Sequence, residues 1–193
     1  MKGYSGLVVY ADDFVVCFEN KEDAEMFYEH LVKRMEHFGL SLEVEKSQLI
    51  EFGRDAQRIA KERDGRAKTF DFLGFTHYCS KSKDGRFRVK RKTSKKKFSK
   101  KSKEINIQIK NMRHLPLEEI IKKLNQVLVG YFHYYGITDN SKRINSFREV
   151  VINRLFYWLN RRGQKRSYTW EGYLEMLKIY PLARAKIYVS VYA

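Results

Sequence analysis

Along the chain the apolar positions first fall into short runs and later settle into a helical period. Leu7, Val8, Val9 and Tyr10, then Phe14, Val15, Val16, Cys17 and Phe18, predict one strand ending at Tyr10 and another from Phe14 to Phe18, with a turn at Asp12 and Asp13 between them. Asn20 as N-cap, Glu22 and Asp23 in the first turn and Gly39 past the end predict a helix. Its stripe of Ala24, Phe27, Tyr28, Leu31, Met35 and Phe38 would cover one face of a sheet. "LSLEVEKSQLIEFG" alternates at Leu40, Leu42 and Val44, then turns into Leu49, Ile50 and Phe52, which predicts short strands. "RDAQRIAKERDG" is a polar excursion, and "FDFLGFTHY", residues 70–78, reads as a final aromatic strand. The first part is therefore α+β.

From Pro116 the pattern is helical. Pro116 with Leu117, Glu118 and Glu119 marks a start, Ile120, Ile121, Leu124, Val127, Leu128, Tyr131 and Phe132 form the stripe, and Gly136 marks the end. Asp139, Asn140 or Ser141 can cap a second helix bearing Ile144, Phe147, Val151, Leu155, Trp158 and Leu159. A third helical segment, residues 169–180, stops at Pro181. The aromatic residues of this antiparallel, all-α part follow the helical period and are assigned to its core rather than to base-stacking platforms.

Charge changes the picture between these parts. The chain carries 39 Lys and Arg against 23 Asp and Glu, a net charge of +16. Residues 81–103, "KSKDGRFRVKRKTSKKKFSKKSK", hold 13 cations and one acid and so supply +12 of it. Such a run repels itself, and a phosphate backbone is the partner that relieves it. Lys90, Arg91, Lys92, Lys95, Lys96, Lys97, Lys100 and Lys101 are the candidate nucleic-acid contacts. The competing reading is a solvated linker, against which Phe87, Val89 and Phe98 supply apolar anchors. The boundaries read as 1–78, a basic connector at 79–103, and a helical part at 104–193. No apolar run approaches 18 residues and no secretory leader is evident, so no membrane partner and a cytoplasmic location are expected. Cys17 and Cys79 fall in no metal-binding or disulfide spacing, and the five histidines show no ligand spacing.

"LVVYADDFVVCF" raises the one sharp chemical question, because two like charges side by side are costly in an apolar strand. A hairpin turn alone would explain them, since Asp is a turn former. The same turn could also present both carboxylates to a divalent cation.

The motifs together resemble a family. "YADDFVV" resembles the polymerase motif of group II intron-encoded reverse transcriptases, where an aromatic-Ala-Asp-Asp turn joins two palm strands. "GLSLEVEKSQLIEFG" is similar to that family's next block and "FDFLGF" to the block that contacts the primer strand. "PLEEIIKKLNQVLVGYFHYYG" resembles the start of its thumb or maturase domain. The resemblance implies an α+β palm remnant of antiparallel strands with a helix, followed by an all-α thumb/maturase (X) domain. It also implies RNA-directed DNA polymerisation and intron RNA binding. Asp12 would ligate Mg²⁺ with Asp13 secondary, Lys46 would meet the pyrophosphate, and Phe72, Leu73 and Gly74 would grip the primer end. Nucleotidyl transfer sets two Mg²⁺ about 4 Å apart, so carboxylates must converge.

The departures are specific. The family's fingers, its first palm half with a further metal-binding Asp, and its nucleotide-binding block find no match here. Tyr131 stands for the usual Trp and Val129 for the usual Arg. The reading is thus the C-terminal half of a reverse transcriptase/maturase, a truncated product or one half of a split enzyme, binding Mg²⁺ only weakly and not catalytic alone. Its partners would be intron RNA, an RNA/DNA template-primer and an N-terminal palm-fingers fragment. The alternative is a non-catalytic RNA-binding maturase-like protein.

Overall fold

The structure, a computed structural model, describes residues 2–43 and 47–191. The chain divides into two compact units, Met1–Phe72 with Cys79–Arg88, and Leu73–Tyr78 with Val89–Ala193.

The first unit opens with an antiparallel hairpin of β1 (Ser5–Tyr10) and β2 (Asp13–Phe18), in register from Ser5 opposite Phe18 to Tyr10 opposite Asp13. The two-residue loop is therefore Ala11 and Asp12, and Asp13 begins the second strand instead of sharing the turn. Helix α1 (Lys21–His37) follows as the stripe predicts, with Asn20 at its N-cap and Gly39 in the left-handed region at φ 68°. Phe18 and Phe27 pack hairpin on helix, their ring centroids 5.3 Å apart. Asn20 does not cap with its side chain. Asp23 instead accepts the backbone N–H groups of Lys2 and Gly3 at 2.9–3.0 Å, holding the N-terminal residues on the helix start.

The strands expected around Leu40 and Leu49 do not form among the described residues, and Val44 lies outside them. Alternation marks a strand only where a neighbour takes up its backbone groups. The polar excursion is a short helix, α2 (Ala56–Glu62), held by an i,i+4 pair between Arg58 and Glu62 at 2.7 Å.

A three-stranded sheet has the order β3-β4-β5, from β3 (Phe70–Phe72), β4 (Phe75–Lys81) and β5 (Phe87–Thr93). The single aromatic strand expected over 70–78 is thus broken at Leu73 and Gly74, both at positive φ, 49° and 78°. Positive φ at both central residues is the requirement of a two-residue hairpin turn whose twist matches its strands. The basic run is no extended tether. It completes β4, turns at Gly85 (φ 80°), forms β5 and enters α3 (Lys95–Met112).

Helices α3, α4 (Leu117–Tyr135), α5 (Ser141–Leu159) and α6 (Trp170–Ile179) build the core of the second unit. Ile105, Ile109, Leu124, Leu128, Phe132, Phe147, Val151, Leu155, Leu159 and Tyr173 are buried there, each side chain contributing roughly 1.5–3 kcal/mol. Among the described residues only Ala24, Ala56 and Cys79 are buried apolar residues of the first unit. Past Pro181 the chain docks back: Ala183 donates its N–H to Asn125 Oδ1 at 2.7 Å, and Val189 pairs in parallel with Ile137. Gly136 permits this approach, since a Cβ there would collide with backbone oxygens of Phe132 and Lys186.

Candidate nucleic-acid interface

The hairpin turn places Asp12 and Asp13 in solvent. Their like charges are tolerated because water screens them, so the burial cost that the sequence raises does not arise. The turn is strained: Ala11 sits at φ 54°, a region that L-residues other than Asn and Asp rarely visit. Strain of this kind collects where a loop must aim its side chains. The hairpin also exposes Leu7, Val8, Val9 and Tyr10, and because neighbours along a strand point to opposite faces, β1 is bare on both, whereas Phe18 of β2 packs on α1. For Mg²⁺, which takes about six oxygens in an octahedron, Asp12 and Asp13 offer part of a donor set. Among the described residues no three His, Cys, Asp or Glu side chains are grouped to hold a metal ion. These residues by themselves do not complete a Mg²⁺ site. Lys46 lies outside the described residues.

Of the other predicted positions, Phe72 ends β3 in the first unit, while Leu73 and Gly74 belong to the second. There the turn is clamped from three sides. Tyr134 donates its hydroxyl to the Leu73 carbonyl at 2.9 Å, Ser94 N–H donates to the Gly74 carbonyl at 2.9 Å, and Phe75 stacks on Tyr134 with centroids 6.0 Å apart. These bonds hold Leu73 in a left-handed conformation that its branched side chain disfavours. A side chain at Gly74 would approach Tyr135 Oη to 3.1 Å and take a positive φ, so glycine is needed on both counts. Burial is the main reason that the Tyr135 hydroxyl titrates above its ordinary value.

The eight predicted cations all lie in the second unit, on β5 and the first half of α3. Lys90 and Arg91 are half-buried on β5, and Lys92 sits 5.2 Å from the centre of the Tyr78 ring. Lys101 pairs with Glu104 at 3.3 Å, an exposed bridge of small energy. Lys95, Lys96, Lys97 and Lys100 are exposed and make no ion pair among the described residues. The first turn of α3 holds three lysines and no acid, whereas α1 and α4 begin with two acids each. Cations at a helix N-terminus oppose the macrodipole by about 0.3–1 kcal/mol apiece. An anion resting on that turn would gain from the dipole, the free N–H groups and the lysines together.

Sequence reasoning missed what fixes this turn. Asn140, expected as a cap, is buried and uses its side chain elsewhere: its Oδ1 accepts Thr93 N–H at 2.8 Å, and its Nδ2 donates to Thr93 Oγ1 and to the Tyr135 carbonyl, both at 2.8 Å. The bridge joins the start of α3 to the α4–α5 corner. Its one visible signal is an Asn between two equally good caps, which does not reveal a partner 47 residues away.

Two families match the chain. The reverse transcriptase (RNA-dependent DNA polymerase) family model matches residues 4–77, and the model of the group II intron maturase-specific domain matches residues 95–173. The second span begins at the first residue of α3 and so takes in the lysine-bearing turn. No curated protein sequence matches the chain.

Proposed function

Because the chain belongs to the group II intron reverse transcriptase/maturase family, we propose that β5 and the start of α3 track the phosphate backbone of intron RNA. The carrying observation is the first turn of α3, where Lys95, Lys96 and Lys97 stand exposed against the helix dipole with no acid to offset them. With Lys90, Arg91, Lys92, Lys100 and Lys101 they form the phosphate-contacting set. Selectivity for one intron would reside in the helices around Arg143 to Arg162, because phosphate contacts position without specifying sequence. On this reading residues 1–78 are a palm segment, 79–103 connect it, and 104–193 form the thumb/maturase domain, acting in the cytoplasm where the RNA is made.

The palm role is the second element of the proposal. Asp12, with Asp13 secondary, would furnish part of the oxygen set for Mg²⁺. Lys46 would meet pyrophosphate, and Phe72, Leu73 and Gly74 would lie along the primer end of an RNA/DNA duplex. The two-carboxylate donor set and the exposed apolar residues of β1 favour completion by a palm-fingers segment, in the same longer chain or a separate one. That segment would bring a further carboxylate and strands to cover Leu7 to Tyr10.

Salt dependence tests the RNA interface. With about half of the run's cations on phosphates, log K falls against log salt with a slope of roughly 4 to 6, at about 0.7–0.9 per contact. Changing Lys95, Lys96, Lys97, Lys100 and Lys101 together to Ala should weaken binding to all RNAs alike and flatten that slope by about three or more. An unchanged slope would place the RNA elsewhere.

A further inference from the structure

We propose that the cleft between the end of α5 and the start of α6 holds one unstacked RNA nucleotide, its base against Trp170 and Tyr157 and its phosphate on Arg161 and Arg166. The proposal deepens the RNA-binding reading and rests on it, but the site is separate from the lysines of α3. Four observations converge on it.

The cleft, about 790 Å³, is lined by Asn153, Phe156, Tyr157, Asn160 and the three residues just named at its rim, Arg161, Arg166 and Trp170. That volume lies in the range of small-molecule sites. The aromatic side chains here do not follow the core stripe. Phe147 and Tyr173 are wholly buried, while Tyr157 is 38% and Trp170 40% exposed, leaving ring surface open to a ligand. Phe156 supports Trp170 from below, edge to face at 5.0 Å.

The charge around the cleft is uncompensated. Residues 160–169, "NRRGQKRSYT", contain four cations and no acid. Arg162 donates to the Leu115 carbonyl and Arg161 to the Tyr157 carbonyl, and Arg161, Lys165 and Arg166 make no ion pair among the described residues. The dipole at the end of α5 accounts for cations at 161 and 162, but Lys165 and Arg166 approach the start of α6, where the dipole is unfavourable to them. A bound phosphate gives them a reason to be there. The Arg161 guanidinium already lies 3.5 Å from the centre of the Tyr157 ring, the stacked arrangement that Arg and aromatic residues offer to unpaired bases.

Amide groups complete the site. Asn153 on α5 and Asn160 at its C-cap line the same cleft. Asn160 spends its Oδ1 on the Tyr168 N–H at 2.8 Å, and its buried Nδ2 has no acceptor among the described residues. The exposed amide of Asn153 is of the kind that reads a base edge. Stacking on these rings requires a base freed from its pair, so the ligand is single-stranded. A protein partner rich in acids would meet the cations but would leave the stacking surface and the amides unexplained.

The test uses the full chain, a short labelled single-stranded RNA, a blunt RNA duplex of the same sequence, and AMP, with binding followed by fluorescence anisotropy across a salt series. Trp170→Ala should weaken the single strand about tenfold or more and leave the duplex unchanged, while Trp170→Phe keeps most of the affinity. Arg161→Ala with Arg166→Ala should lower the single-strand salt slope by about one to two. Circular dichroism confirms the fold, and Tyr157→Ala, at an exposed position, stands in if Trp170→Ala is unfolded. Unchanged single-strand affinity, or equal losses on both RNAs, would overturn the site. So would AMP binding as tightly as the RNA, which would make the ligand a free nucleotide, or Trp170→Ala disrupting only self-association. If the five-lysine variant keeps all RNA binding, the reading of α3 fails instead, and the two failures are distinct.

Discussion

Asn140 is the residue on which the lysine-bearing turn hangs. Its three hydrogen bonds to Thr93 and Tyr135 are made at a buried site, so Asn140→Ala removes the acceptor of the Thr93 N–H, while the Tyr135 carbonyl keeps only the Ile137 N–H. Such a loss costs about 1–3 kcal/mol. Urea denaturation should show a lower midpoint with little change in slope, and an unaltered midpoint would remove Asn140 from the account. Asp23 acts likewise at the other end of the chain. Hydrogen bonds from the Gly3 and Lys2 N–H groups hold its carboxyl below its ordinary value of 3.8. A depressed folded value means that the stabilisation is full above pH 3.8 and is lost as pH falls through the lower folded value. Asp23→Asn should therefore flatten the loss of ordered N-terminal signals below that pH, read by NMR. At this scale the sequence was legible where chemistry is local. Asp12 announced a turn, and Gly39 a helix end. It was silent on Ala11 and Leu73, because neither residue type favours the left-handed conformation that tertiary bonds impose.

At the scale of elements, α1, α4, α5 and α6 are readable because their apolar stripes are dense and their ends are marked. Helix α3 is not. Phe98, Ile105, Ile109 and Met112 recur at helical spacing, but they are so interrupted by lysine that charge dominates any reading of the segment. The β4–β5 hairpin hides for the same reason, with its strand residues counted as part of a basic run. The strands expected after Gly39 fail the other way, since periodicity suggested an element that no described neighbour completes. A direct check is limited trypsin digestion. Despite its lysine density α3 should resist cleavage, because Ile105 and Ile109 anchor it in the core, whereas the exposed cations between Arg54 and Lys68 should be cut first. Early cleavage throughout α3 would mean that the helix is not held.

For the molecule as a whole, the two units differ in how well each satisfies itself. The second owns nearly all the buried apolar side chains of the described residues, and the first carries a hairpin whose β1 residues Leu7 to Tyr10 are exposed. No described helix is long and apolar enough to cross a membrane. The chain alone should extend no primer on an RNA template, since the carboxylates of the described residues do not complete a metal site. Adding a segment with the family's upstream palm and fingers should restore extension, and Asp12→Asn should abolish what is restored. Robust synthesis by this chain unaided would show that the Asp12–Asp13 hairpin suffices.

The lysines that open α3 have one more implication, for the protein's life rather than its binding. A helix whose first turn repels itself is less stable empty than it could be. Replacing Lys95 and Lys96 by Glu would raise the melting temperature of the free chain while weakening its hold on RNA. By linkage, whatever occupies the native turn also holds the protein folded, by about 2.7 kcal/mol at a hundredfold excess over Kd. Excess copies lacking RNA would open more often and reach proteases sooner. The amount of protein in a cell would then follow the amount of its RNA with no regulator between them.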